Sequence, residues 1–221
     1  MPRMRSRPPP ATGYTDRAHA GHVLADHLGG LDLADPVVFG LARGGVPVAA
    51  EVARALGAPL RVCVARKIGA PGQPELALGA VTAHGPPRYD HALLRSFGLT
   101  PSDLADACER ERAEAARREH RYHALPPELT GREALLVDDG LATGATARAA
   151  LGMLARARPR RLVLAVPVGA PDSVRAMRGL ADAVVCVLQP VGFAAVGQYY
   201  RDFAATTDAE ITALLDELGT G

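Results

Sequence analysis

Two adjacent carboxylates, Asp138 and Asp139, followed after three intervening residues by the loop Thr143-Gly144-Ala145-Thr146, form the densest concentration of chemistry in the chain. Residues 134–137 are a short apolar run suited to a buried parallel strand, so the acids fall where such a strand leaves its sheet. Gly140 opens a turn, and the alanine-rich run 147–157 predicts a helix. A strand, a loop of small residues and a helix start make an anion site, because unpaired backbone N–H groups and the helix dipole face the same space. Thr143 and Thr146 add hydroxyl donors, so the loop suits a terminal phosphate, while the carboxylates suit ribose hydroxyls or a phosphate-bridged Mg²⁺. Read locally, Asp138-Asp139-Gly140 also matches a polar turn, and either threonine a helix cap.

Two further clusters carry positive charge. The strand expected over 36–41 ends in Ala42-Arg43-Gly44-Gly45, where the glycines permit a sharp turn and Arg43 offers a planar cationic fork, with a helix expected over 48–56. Arg66 and Lys67 are expected at the exit of a strand over 60–65, ahead of an irregular stretch, 68–75, in which Glu75 reads as a strand-edge carboxylate or an orienting group. Beside a phosphate site such cations would neutralise a diphosphate, and Arg66 could instead reach across a subunit boundary; otherwise they solvate a sheet edge.

The elements that must position these groups follow from periodicity. A helix is expected over 14–31 with Asp16 as its cap, and its histidines His19, His22 and His27 lack the acidic partners of a metal site. A charged helix, 102–122, interleaves arginine with glutamate and reads as a solvated or subunit-contact face, and Pro126-Pro127 separates it from the central strand. Strands are expected over 161–168 and 183–188. Pro167 suggests a ligand-facing loop, Asp172 a cap for 173–179, and a last helix runs from 208 through 215. Alternation of strands and helices predicts an α/β fold with a mostly parallel sheet flanked by helices.

Composition narrows the class. The 221 residues suit one α/β domain over 13–221, with 1–12 a flexible basic, proline-rich tail. A formal net charge of +1 gives no general nucleic-acid footprint, and no apolar run is long enough to predict a membrane span, so a cytoplasmic location is expected. Cys63, Cys108 and Cys186 are too few and too scattered for a disulfide framework. The chain lacks both a Gly-x-Gly-x-x-Gly fingerprint and a P-loop.

Taken together, the apolar strand, the acid pair and the Thr-Gly-x-Thr loop resemble the phosphoribosyl diphosphate (PRPP) signature of type I phosphoribosyltransferases, distantly similar to the purine-salvage branch. The resemblance implies that Asp138 and Asp139 face the ribose and associate with Mg²⁺, that Ala142, Thr143, Gly144, Ala145 and Thr146 wrap the 5′-phosphate, and that Arg43, Gly44, Gly45, Arg66 and Lys67 serve the diphosphate. Arg43, Lys67, Asp138 and Asp139 are then the catalytic set. It further implies a small hood, expected around 189–221 with a helical insertion around 88–125, and a nucleobase acceptor stacked on Phe193; the long charged helix and the basic loops offer the contact surfaces of an expected homodimer. Hypoxanthine and guanine enzymes carry a carboxylate where this chain has Ala142, and Tyr200-Arg201-Asp202-Phe203 departs from their spacing, so the acceptor is left open. The resulting expectation is transfer of 5-phosphoribosyl from PRPP to a nitrogen of an aromatic base. A noncatalytic PRPP or nucleotide sensor, or another Mg-dependent phosphotransferase or hydrolase, are the alternatives.

Overall fold

The structure, a computed structural model, describes residues 13–124 and 128–219, apart from the side chains of Pro74 and Glu75. The expected tail at 1–12, the break at Pro126-Pro127 and the role considered for Glu75 therefore lie outside it. In chain order the elements are α1 (Arg17–Leu28), β1 (Pro36–Leu41), α2 (Gly45–Leu56), β2 (Leu60–Cys63), β3 (Ala65–Ala70), β4 (Gln73–Thr82), β5 (Arg88–Tyr89), α3 (His91–Ser96) and α4 (Ala105–Arg121). They continue with β6 (Glu133–Val137), α5 (Ala145–Arg156), β7 (Arg161–Val168), α6 (Pro171–Met177), β8 (Ala183–Leu188) and α7 (Asp208–Leu218).

Five strands form a parallel sheet in the order β2-β1-β6-β7-β8. Its strands are apolar on both faces, as helix-covered parallel strands must be. Val37, Phe39, Ala134, Leu136, Leu162 and Leu164 point to a core shared with α5 and α6. The intervening Val38, Leu135, Val137, Val163 and Ala165 point to the opposite core, shared with α1, α2 and α7. Leu136 is fully buried, and its replacement by alanine would cost about 2–5 kcal/mol.

Three antiparallel strands, β3-β4-β5, make a second small sheet. Ile68, Leu78 and Val81 pack there with Leu94 of α3 and Cys108 of α4, while Ala65 and Ala80 face the core containing α5. The small sheet thus lies between α4 and α5.

Several local expectations change. Arg66 and Lys67 are inside β3, paired with Val81 and Ala80, because the chain leaves β2 after Cys63 and starts a new hairpin at Ala65. Much of the stretch expected to be irregular is that hairpin. Pro167 is within β7, where it escapes the usual penalty because the β6 ladder has already ended at Ala165. The cap of α6 is Ala170, with Asp172 in its first turn, and α7 starts from Thr207, whose hydroxyl accepts the Glu210 N–H in a capping box.

Candidate functional site

Because the five strands are parallel, the loops after β1, β6 and β7 emerge at one edge. The chain runs from β1 outward to β2 on one side, and from β6 outward to β7 and β8 on the other. The gap between β1 and β6 is therefore a topological switch point, the place where open parallel sheets form crevices. Both glycine-containing loops meet there. A Cβ at Gly44 would lie 2.1 Å from Oδ2 of Asp139, and one at Gly45 would lie 2.6 Å from the Val137 carbonyl. Only glycine permits this approach, which brings the start of α2 against the acid pair.

The 140–144 loop is held from several sides. Leu141 donates its N–H to Val168 O at 2.9 Å and accepts from Ala170 N at 2.8 Å, and the Ser173 hydroxyl bonds the Ala142 carbonyl. Gly144 caps α5 in a left-handed conformation (φ 74°), and a Cβ there would meet Met177 Cε at 2.9 Å. The first turn of α5 leaves N–H groups without intrahelical acceptors, beside the exposed Thr143 and half-buried Thr146.

Each acid uses one oxygen within the protein. Asp138 Oδ1 accepts the Asp139 N–H at 2.9 Å. Asp139 Oδ2 accepts from Arg17 Nε at 2.9 Å and pairs with Arg17 Nη2 at 2.9 Å. Among the described residues, Asp138 Oδ2 and Asp139 Oδ1 have no hydrogen-bond partner. Burial, reinforced by the neighbouring Asp139 charge and opposed by more distant Arg17 and Lys67, pushes the Asp138 carboxyl well above the ordinary carboxylate range. Asp139 is also raised by burial, but Arg17 opposes that rise directly.

Arg17 carries no local sequence signal. It starts α1, bonds Asp139 across 122 positions, donates to Ala204 O at 2.6 Å and lies 4.0 Å above the Phe203 ring centroid. Tyr200 adds a second unforeseen contact, its hydroxyl donating to Asp139 O at 2.6 Å. Burial pushes that hydroxyl far up, so it remains a donor. Tyr200 also packs beside the buried Tyr14, whose hydroxyl donates to Pro167 O at 2.8 Å.

The cations divide. Lys67 is exposed and has no ion pair among the described residues, yet its charge acts on Asp138. Arg66 is tied to Glu111 of α4 at 2.8 Å, and the Arg43 guanidinium lies 4.0 Å from Asp208 at the start of α7. Phe193 is half-buried and stacked on Tyr199 with centroids 5.6 Å apart, in the aromatic cluster around Tyr14. The segment carrying it also crosses the acid loop: a Cβ at Gly140 would lie 2.5 Å from Val196.

Among the described residues no three His, Cys, Asp or Glu side chains group into a metal cage. Two adjacent carboxylates with one unbonded oxygen apiece fit a hard cation that draws its remaining ligands from a bound substrate and water.

A profile of the phosphoribosyl transferase domain matches residues 14–201. The chain belongs to the phosphoribosyl transferase domain family. Relatives of this phosphoribosyl transferase domain include proteins from two Mycobacterium tuberculosis strains with a provisional phosphoribosyl transferase name, each 47% identical over 208 residues. Those matches cover 92% of this chain and 46% of each relative, so the chain spans about half the length of the curated relatives it matches. A uracil phosphoribosyltransferase from Lactobacillus gasseri is 38% identical over 68 residues, 30% of this chain and 32% of that protein. The crystal structure of TT1426 from Thermus thermophilus matches with a TM-score of 0.78 and 45% identity, covering 94% of this chain and 100% of that one. No helix among the described residues of this phosphoribosyl transferase domain is long and apolar enough to cross a membrane.

Proposed function

We propose that this phosphoribosyl transferase domain transfers 5-phosphoribosyl from PRPP to a nitrogen of an aromatic base, releasing pyrophosphate with Mg²⁺ as cofactor. The observation that carries this reading is the convergence at the β1/β6 switch point of an acid pair, a helix start with a threonine-bearing loop, and a glycine turn seated on Asp139. That arrangement offers adjacent places for a sugar's hydroxyls, its 5′-phosphate and a leaving diphosphate.

The 142–146 backbone and the Thr143 and Thr146 hydroxyls hold the 5′-phosphate in this scheme. Asp138 Oδ2 and Asp139 Oδ1, the oxygens left unbonded by the protein, accept from ribose hydroxyls and turn the sugar toward the acceptor. As the glycosidic bond to diphosphate lengthens, Arg43, Lys67 and the Gly44-Gly45 backbone stabilise the departing negative charge. Arg43 must release Asp208 to do so, whereas Lys67 has no ion-pair partner to release among the described residues. Arg66, engaged with Glu111, has a supporting electrostatic role. Asp138 and Asp139 are also the residues that would hold Mg²⁺, which when bound would supply further neutralisation of the diphosphate. Phe193 provides an aromatic face to the acceptor base, and a nucleobase acceptor agrees with the local similarity to a uracil enzyme. A second copy of the chain, meeting the first through its charged helices, completes a homodimer operating in the cytoplasm.

The deciding assay supplies PRPP, Mg²⁺ and a mixed purine, pyrimidine and pyridine panel, and measures both pyrophosphate and nucleotide. Stoichiometric formation of the two supports transfer. Tight PRPP binding without either product identifies a sensor, and release of orthophosphate identifies a phosphotransferase or hydrolase.

A further inference from the structure

A cleft of about 450 Å³ opens between the start of α1, the first turn of α2, the segment 202–206 and α7. Ala18, Pro47, Ala204, Ala205, Ala213 and Leu214 give it apolar walls, and the four alanines among them end at Cβ, which leaves width for a flat ring. None of the residues assigned to the 5′-phosphate, the ribose, the diphosphate or the acceptor base lines it.

Thr206 distinguishes this cleft from an ordinary surface groove. Among the described residues the buried polar or charged side chains are Thr82, Glu133 and Thr206. Thr82 donates to the His84 carbonyl at 2.7 Å, and Glu133 accepts from Ala34 N at 3.1 Å and from Arg160 at 2.8 Å. Thr206 is 7% exposed and lines the cleft, yet its hydroxyl has no hydrogen-bond partner among the described residues. No wholly enclosed side-chain polar atom among those residues lacks a partner, so this hydroxyl reaches open space, and the cleft is the space it borders. A nearly buried hydroxyl without a protein partner costs stability until a ligand or water bonds it.

Charge selects the sign of the occupant. Asp16, Asp202 and Glu210 stand around the cleft, and each uses one carboxylate oxygen to accept a nearby backbone N–H, from His19, Ala204 and Thr207 respectively. Their second oxygens have no hydrogen-bond partner among the described residues. Arg17, the one cation lining the cleft among the described residues, is committed to Asp139 and to the Ala204 carbonyl. Three carboxylates therefore face one guanidinium that is already paired, which repels an anion and attracts a cation. We propose that the cleft binds a small organic monocation: a flat ring between the alanines, a ring N–H donated to the Thr206 hydroxyl, and an ammonium group at Asp16, Asp202 and Glu210. The site requires nothing of the transfer reaction.

Calorimetric titration of the full chain at pH 7 with tryptamine tests it, beside 1-methyltryptamine, which lacks the ring N–H, and indole-3-acetate, which carries the opposite charge. Wild type should bind tryptamine with a dissociation constant below about 1 mM, indole-3-acetate roughly tenfold more weakly and 1-methyltryptamine roughly three- to tenfold more weakly. Thr206→Val should lose roughly three- to tenfold for tryptamine and nothing further for 1-methyltryptamine, while Thr206→Ser should bind tryptamine like wild type. Asp202→Asn/Glu210→Gln should erase the preference for the cation, and the charge-matched control Asp106→Asn/Glu128→Gln should keep it, with folding checked by circular dichroism. If Thr206→Val does not fold, the two amines on wild type read the same contact. No measurable binding of tryptamine to wild type, indole-3-acetate bound as tightly as tryptamine, equal binding of the two amines to wild type, unchanged tryptamine binding in a folded Thr206→Val, or loss of the preference in the control would overturn the site.

Discussion

The two sides of the acid pair are built by different means. On one side, β6, the 140–144 loop and α5 are consecutive in the chain, and backbone geometry positions the groups: a buried strand, a left-handed Gly144 and a half-buried helix start. On the other, the segment 189–207 runs as largely irregular chain across Gly140 and is fixed by side chains from distant sequence. Arg17 reaches Asp139 and Ala204, Tyr200 reaches the Asp139 carbonyl, and Tyr14 reaches Pro167. On the proposed reading, donor chemistry resides in a short local signature, while the acceptor side varies with every long-range contact that shapes it.

The sharpest way to break this contrast is at the acids. Replacing Asp138 and Asp139 by asparagine together should lower pyrophosphate release roughly 10³-fold, since the sugar loses its fixed acceptors. A double variant within a few-fold of wild type would remove the acids from the mechanism. Next, Arg17→Ala should reduce kcat/KM for PRPP about 10²-fold by freeing Asp139 and the Phe203-Ala204 stretch together. Arg17→Lys should recover part of that loss. If lysine performs no better than alanine while both variants remain as stable as wild type, charge at Arg17 does not orient Asp139.

A pH experiment separates the two acids energetically. The folded chain holds the Asp138 proton more tightly than the unfolded chain, whose carboxyl has the ordinary value of 3.8. Its favourable contribution is therefore complete below that value and is lost as pH rises toward the elevated folded pKa. Relative to wild type, Asp138→Asn should gain stability from pH 4 to pH 8, by about 1.4 kcal/mol for each unit of pKa elevation, in urea unfolding. A constant difference across that range would mean that the buried carboxyl is not perturbed. The smallest effect is expected at Phe193→Ala, which should raise KM for the acceptor base about three- to tenfold through lost ring contact and leave KM for PRPP unchanged. The reverse pattern would move Phe193 to the donor side.

The parallel sheet is legible in the sequence because β1, β6 and β7 are short apolar runs buried on both faces, and the half-buried edge strand β8 is equally apolar, so none needs partner information. The strand-loop-helix order around Asp138 and Thr143 is legible for the same reason. Arg66 and Lys67 read wrongly because a strand exit and the start of a new hairpin look alike when one unpaired residue, Val64, separates β2 from β3. Pro167 reads wrongly because a proline's tolerance depends on whether a neighbouring strand still pairs there, which is a tertiary fact. Arg17 is invisible to sequence reasoning, since nothing within α1 indicates a carboxylate 122 positions away.

The central claim is that PRPP spans the β1/β6 switch point. Crystals of the chain grown with PRPP and Mg²⁺ test it directly. The expected density has the 5′-phosphate over Thr143–Thr146, the ribose hydroxyls at Asp138 Oδ2 and Asp139 Oδ1, and the diphosphate at Arg43-Gly44-Gly45. PRPP bound away from the β1/β6 switch point, or with its diphosphate over Thr143–Thr146, would contradict it.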